Sequence, residues 1–225
     1  MTDAAGPPTD RPRLYEPLGA GAPLVSTRVR AWAAIIAIYA VAGTAVADAL
    51  QAGKRVDAWR DAVAGTGTIE TALQVQRDGE TLSKVGWLCV AISAVALVFW
   101  TYGIIRNATA RGVRGIHRAE AFYWFLPLFG IRLALRPLQH SVRNVGYSEH
   151  RLTRWLWVAY IHLFVAIFVT YALLRTTVNV TSIESALDRL NTQRQILWVV
   201  AAWFAGSATV AMLAIRHTDR SVSKI

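Results

Sequence analysis

The chain is poor in cysteine and in charge, and each shortage excludes a class of protein. Cys89 is the single cysteine among 225 residues, which excludes an intrachain disulfide and a cysteine-cluster metal site. Only 17% of the residues are charged, whereas 54% are hydrophobic. The G-x-S-x-G, H-E-x-x-H and phosphate-binding glycine motifs of common enzymes are absent from the sequence. These shortages disfavour a soluble enzyme of a familiar type.

Long stretches with almost no charge are what the chain has instead. Runs of about 20 apolar residues match the ~30 Å thickness of the hydrocarbon core of a membrane. The sequence therefore predicts an all-α integral membrane bundle of four transmembrane helices. A soluble bundle is the alternative, and it is disfavoured because the runs show no polar face. The predicted spans are residues 31–50, 85–105, 155–174 and 196–215.

The remaining segments divide into two tails and a loop. Residues 1–30 have the proline-rich, aperiodic composition of a disordered tail, and residues 216–225 form a second tail after the membrane domain 31–215. Residues 51–84 are polar and predict an outer loop of short surface helices, broken at the sequence GTGT (65–68).

The first apolar run allows two interpretations. Its Ala-Val-Ala sequence ahead of Asp48 resembles a signal-peptidase site, which would make the run a cleaved signal. The 30 residues ahead of the run are long for a signal, and the run is long enough to remain as an anchor. We therefore expect the first span to be retained.

Small residues recur four positions apart in the spans, as in Gly43 with Ala47 and Ala202 with Gly206. Such pairs allow membrane helices to approach closely. They predict a packed bundle, and they also suit contact with a partner helix.

The segment FYWFLPLFGIRLALRP, residues 122–137, decides the topology. Only 11 uncharged residues separate Glu120 from Arg132, and as a helix they would cover about 16 Å, half of the hydrocarbon core. Pro127 interrupts this stretch, and Pro137 suits the first turn of a short amphipathic helix. We therefore predict that residues 119–145 form a re-entrant or interfacial aromatic-proline segment.

The distribution of basic residues agrees with this topology and gives the orientation. With four spans, one face of the membrane has 16 lysines and arginines and the other has 8. If the aromatic-proline segment crossed, Arg132 would lie inside the membrane, the faces would have 11 and 12 of the remaining basic residues, and the asymmetry would vanish. Because short loops rich in basic residues stay inside, both termini are predicted to be cytoplasmic. Arginine and alanine richness is typical of GC-rich bacterial genomes, so the expected location is a bacterial plasma membrane.

One set of residues resembles a known pattern. A tryptophan near the end of a span, then Arg-Asn-Ala, an aromatic-proline segment and a second proline are similar to an uncharacterised family of actinobacterial multi-span membrane proteins, a domain of unknown function. The resemblance covers roughly residues 85–215 and implies a multi-span architecture without implying an activity. The residues that carry it are Trp100, Arg106, Asn107, Ala108, Trp124, Pro127 and Pro137.

The most distinctive candidate site is a basic group on the predicted inner face. Its arginines suit an anionic lipid head group or an acidic partner, because arginine binds phosphate and carboxylate bidentately. Plain topological charge is the alternative. We expect Asn107 to bond exposed carbonyls at the end of its own helix, and Glu120 to pair with Arg118 or a nearby arginine. The group comprises Arg106, Asn107, Arg111, Arg114, Arg118, Arg132, Arg136 and Arg143.

A second candidate is His162, near the middle of the third predicted span. Ionisable groups at that depth often line proton or substrate pathways. A neutral imidazole bonded to a neighbouring helix is the more ordinary interpretation, because no intramembrane acid accompanies it. One mid-membrane histidine also disfavours a haem held by two histidines of one chain.

These features favour a non-enzymatic interaction or accessory protein over a catalyst. Its expected partners are anionic lipids of the inner leaflet, and a membrane protein or a second copy of the chain. No cofactor, metal or nucleic acid is expected. The alternative function is a small-molecule or ion carrier that uses His162 and residues 122–137.

Overall fold

The computed structural model describes residues 23–113, 115–125, 129–143 and 182–223. Within these ranges the chain is helical and contains no strand, which confirms the predicted all-α class for the described part. The predicted third span, 155–174, lies outside the described residues. The helices are α1 (Arg28–Ala64), α2 (Ile69–Ala110), a 3₁₀ helix (Arg118–Phe125), α3 (Phe129–Arg143) and α4 (Ile183–Ser223).

Among the described residues, α1, α2 and α4 are long enough and apolar enough to cross a membrane. They have 37, 42 and 41 residues, so each is about 55–65 Å long at 1.5 Å per residue. This is roughly twice the thickness of the hydrocarbon core. The predicted spans 31–50, 85–105 and 196–215 each lie inside one of these helices, which extend well past the apolar runs.

The polar stretch 51–84, predicted as an outer loop with separate surface helices, is the tip of one helical hairpin. The hairpin turns at the GTGT sequence, where Gly65 has a φ of 73°, a left-handed conformation that glycine adopts without a Cβ clash. The Thr66 N–H donates to the Asp61 carbonyl at 3.0 Å, and the Thr68 side chain caps α2. The predicted break is confirmed, but the helices on either side of it are the ends of α1 and α2.

Helix α1 lies between α2 and α4 and runs antiparallel to both. Gln51 Nε2 donates to the Val75 carbonyl of α2 at 3.0 Å, and the Tyr39 hydroxyl lies 3.3 Å from the Thr209 hydroxyl of α4. Helices α2 and α4 touch each other only slightly. We call the end where α1 begins and α2 and α4 finish the proximal end, and the end with the hairpin turn the distal end.

Small residues bring α1 close to its neighbours, although the predicted pairs do not mark these contacts. A Cβ atom on Gly103 of α2 would lie 2.8 Å from Arg30 Nη1 and 3.2 Å from Thr27 Cγ2 of the α1 start. Among the described residues, a Cβ atom on Gly43 or Gly206 would meet nothing within 4 Å, so these two glycines mark no close approach between the described helices. The buried face of α1 consists mainly of alanines: Ala31, Ala34, Ala37, Ala42, Ala49 and Ala52.

Helix α3 and the 3₁₀ helix pack on the proximal end of the bundle. Leu135 and Leu138 of α3 join a buried cluster with Ala31 of α1, Trp100 of α2 and Ile215 of α4. Helix α3 has 15 residues, so it is about 22 Å long and shorter than the ~30 Å hydrocarbon core. It therefore bridges three helices at one end of the bundle.

Pro137 lies inside α3 and not in its first turn, which corrects the predicted start of this helix. The helix begins at Phe129, so eight residues precede the proline. Proline has no N–H for the carbonyl four residues before it, and such a position normally costs helix stability. The Pro137 ring is fully buried here. The amphipathic character of the helix is confirmed, because Leu138 is buried and His140 is exposed.

Candidate functional site

Four arginines of the predicted basic group have described side chains, and all four lie at the proximal end. Arg106 is half-buried near the end of α2, and Arg111 directly follows that helix. Arg118 begins the 3₁₀ helix and Arg136 lies on the outward face of α3, and both are exposed. Three separate segments of the chain thus contribute to one surface. We call these four arginines the basic surface.

Other predicted residues lie outside the described part. Arg132 and Arg143 belong to α3, but their side chains are not among those described. Arg114, Pro127 and His162 lie outside the described residues. The predicted pathway through His162 therefore stays a prediction.

Asn107 is part of the fold and not of a binding surface. Its side chain is buried and accepts the Val25 N–H through Oδ1 at 2.8 Å, while its Nδ2 donates to the Val25 carbonyl at 2.8 Å. The prediction that it bonds carbonyls of its own helix end is wrong. It fastens the segment ahead of α1 to the end of α2 instead.

Glu120 is used locally and does not pair with Arg118 as predicted. Its Oε1 accepts the His117 N–H at 3.1 Å, and its own N–H donates to the His117 carbonyl at 3.0 Å. This reciprocal pair stabilises the start of the 3₁₀ helix in the manner of a capping box. It leaves the exposed Arg118 without a carboxylate from this neighbour.

The tryptophans and the second proline of the resemblance motif lie in or against the core. Trp100 is only 3% exposed, and the Trp124 Nε1–H donates to Thr101 Oγ1 at 2.8 Å, where Thr101 is fully buried. Pro137 is also buried, on α3. These residues hold the 3₁₀ helix and α3 against α2, and thereby position Arg118 and Arg136.

The two ends of the bundle differ in charge. The described proximal end has ten basic residues and two acidic ones: Arg28, Arg30, Arg106, Arg111, Arg118, Arg132, Arg136, Arg143, Arg216 and Arg220, with Glu120 and Asp219. The described distal end has seven basic residues and eight acidic ones: Lys54, Arg55, Arg60, Arg77, Lys84, Arg189 and Arg194, with Asp48, Asp57, Asp61, Glu70, Asp78, Glu80, Glu184 and Asp188. The proximal end is therefore strongly positive, and the distal end is close to neutral.

Sequence reasoning missed a cavity between the start of α1 and the end of α4. Its volume is about 230 Å³. Its apolar wall is formed by Ala31, Trp32 and Ile35 of α1. Its charged wall is formed by Arg28, Arg216, Asp219 and Arg220. We call it the proximal cavity. The sequence signal for this cavity was the pair Arg216 and Arg220, which are four residues apart after the predicted span 196–215. These arginines were counted only as charge that sets the topology.

The described residues contain no group of three or more histidine, cysteine, aspartate or glutamate side chains that could hold a metal ion. No family model, curated protein or solved structure matches the chain. The resemblance to the actinobacterial family stays a prediction, and function has to be inferred from the geometry.

Proposed function

We propose that the protein is a four-span plasma-membrane protein with a non-enzymatic, accessory role, whose basic inner face contacts anionic lipid. The observation that carries this proposal is the charge difference between the two ends of the bundle. Ten basic residues gather at the proximal end, where α1 begins and α4 finishes. Helices α1, α2 and α4, which meet there, are long and apolar enough to cross a membrane. Basic residues near the ends of spans favour the cytoplasmic side, so both termini would face the cytoplasm.

The path of the chain supports the number of spans. Helix α3 packs at the proximal end, and α4 begins at the distal end. Residues 144–181 therefore connect opposite ends of the bundle, and the predicted third span, 155–174, would make this connection. Helix α1 also runs unbroken through Asp48 and remains buried at Ala49 and Ala52, which favours a retained first span.

The aromatic-proline segment is proposed to lie at the inner interface. Helix α3 is too short to cross, and it packs against the proximal ends of α2 and α4. Phe122 and Phe125 of the 3₁₀ helix are exposed, 58% and 51% respectively. Aromatic rings suit the level of the head groups, and the outward-facing Arg136 can reach phosphates from there.

Each arginine near an anionic membrane surface adds about 1 kcal/mol of attraction, and the attraction falls with salt. The proposal is tested with the triple variant Arg106→Gln, Arg118→Gln and Arg136→Gln. Wild-type protein in mixed anionic and zwitterionic bilayers should enrich the anionic lipid around itself, and the variant should lose most of this enrichment. The lipid shell is measured by extraction and mass spectrometry at low and high salt.

A matched control removes three exposed basic residues from the distal end, through Lys54→Gln, Arg60→Gln and Arg77→Gln. It has the same net charge as the first variant and should keep the enrichment. Equal enrichment in all three proteins would overturn the proposal. In gentle extracts of native membranes, an acidic protein that co-purifies in stoichiometric amounts with wild type but not with the first variant would replace lipid as the partner.

A further inference from the structure

The proximal cavity lies where two antiparallel helices end together. Arg28 and Trp32 are four residues apart on α1, and Arg216 and Arg220 are four residues apart on α4, so each pair lies on one helix face. Arg216 lies over the Trp32 ring, with Cζ 5.6 Å from the ring centroid. This contact holds one guanidinium at the boundary between the charged wall and the apolar wall.

The charged wall of the cavity suits an anion. Three guanidinium groups and one carboxylate line it, and the carboxylate of Asp219 accepts a hydrogen bond from the buried Thr27 hydroxyl. Thr27 precedes α1 without capping it through its side chain, and the first turn has no acidic residue. The positive end of the helix dipole therefore adds to the field of the arginines.

The apolar wall distinguishes a lipid from a small soluble anion. Ala31, Trp32 and Ile35 continue from the charged wall along α1, in the direction of the apolar run. Trp32 is 44% exposed, as an aromatic ring at the head-group level would be. The cavity begins at the level where the predicted spans 31–50 and 196–215 have their inner ends. A phosphate held by the arginines would thus have an apolar surface beside it for an acyl chain.

We infer that the proximal cavity binds one anionic phospholipid, with its phosphate between Arg28, Arg216 and Arg220 and one acyl chain along Trp32 and Ile35. The inference rests on the proposed orientation of the bundle, but it uses different residues from the basic surface. Bidentate arginine contacts make such a site specific for phosphate. A lipid held in this way exchanges slowly and resists salt, unlike lipid gathered by exposed charge.

The test is native mass spectrometry of the full-length protein, purified in mild detergent with phosphatidylglycerol as the probe. Wild type should retain one phosphatidylglycerol molecule at high salt. The double variant Arg28→Gln and Arg216→Gln should lower the retained fraction at least about tenfold, because two charge-assisted contacts are lost. Both arginines are exposed, so the glutamines should leave the melting temperature nearly unchanged, and this is measured in parallel.

The matched control is Arg60→Gln with Arg77→Gln, two exposed distal arginines, and it should retain the lipid. Unchanged retention in the proximal double variant would overturn the inference. Displacement of the lipid by inorganic phosphate as effectively as by added phosphatidylglycerol would also overturn it, because the site would then be specific for a free anion.

The failure of this inference can be separated from failure of the proposed function. The triple variant of the basic surface should keep the single salt-resistant lipid while losing the salt-sensitive shell. If only the shell depends on arginines, the cavity inference alone fails. If neither variant set changes any bound lipid, both fail.

Discussion

The side chain of Asn107 bonds both polar groups of a single backbone residue, Val25, at 2.8 Å each. An asparagine near a helix end was recognisable in the sequence as a polar group in need of partners. Its actual partner lies 82 residues away, and no local pattern identifies a contact of that separation. Glu120 differs from the predicted pairing with Arg118 for the opposite reason, because its carboxylate accepts the backbone N–H of His117, only three residues away.

Replacing Asn107 with alanine should destabilise the protein by about 2 kcal/mol, since two backbone groups of the partly buried Val25 lose their partners. The measurement is the thermal or denaturant unfolding of purified protein in detergent. Thr109→Ala is the matched control. The Thr109 hydroxyl donates to the Ile105 carbonyl of its own helix, so this change should stay within about 0.5 kcal/mol. Equal effects of the two substitutions would show that the Val25 contact contributes nothing.

At the scale of helices, the sequence predicted that the long described helices exist, but it did not predict how long they are. Apolar runs of about 20 residues identified the parts of α1, α2 and α4 that are apolar enough to cross a membrane, and the GTGT sequence identified the turn. The polar ends of α1 and α2 have the sequence pattern of separate surface helices. Their many charged residues obscure the pattern of the few buried apolar residues, such as Ala52, Val56 and Ala72. Helix α3 was misplaced because proline normally begins a helix, whereas packing against three neighbours holds Pro137 in its interior.

Packing between α1 and α2 predicts opposite outcomes for two glycines. Gly103→Leu should destabilise the protein by about 1–3 kcal/mol, because the new side chain meets Arg30 and Thr27 at close range. Gly43→Leu gains a similar helix propensity, and its new side chain meets no described residue at close range. The difference between the two variants in unfolding experiments therefore isolates the packing cost. A Gly103→Leu protein as stable as Gly43→Leu would contradict the close approach of these helices.

The two ends of the molecule differ in charge because α1 runs antiparallel to both α2 and α4. This arrangement gathers the basic residues that were counted face by face in the sequence, and it adds the arginines of the two tails to those of the central loop. The count predicted the charge asymmetry, because it depends only on which segments share a side. The proximal cavity depends on which helix faces meet, and the sequence does not contain this information in readable form.

Cysteine labelling in intact cells tests the topology. In a Cys89→Ala background, Thr66→Cys should react with a membrane-impermeant thiol reagent from outside, and Ala119→Cys only after the cells are opened. Thr66 and Ala119 are exposed, so access depends on the membrane alone. For the predicted third span, 155–174, Ser148→Cys should be protected and Thr177→Cys should react. Reaction at both or at neither of the last two positions would mean that no single crossing separates them.

The hydrogen bond from Thr27 to Asp219 joins the beginning of α1 to the end of α4. During synthesis α1 is made first and α4 last, and residues 65–182 are added between them. At typical translation rates this interval is on the order of 10 s. For that time the face of α1 that α4 covers has no such partner, and Arg28 and Trp32 are already present without Arg216 and Arg220. The cavity is therefore complete only after α4 has been made, because until then only the residues from α1 that line it are present.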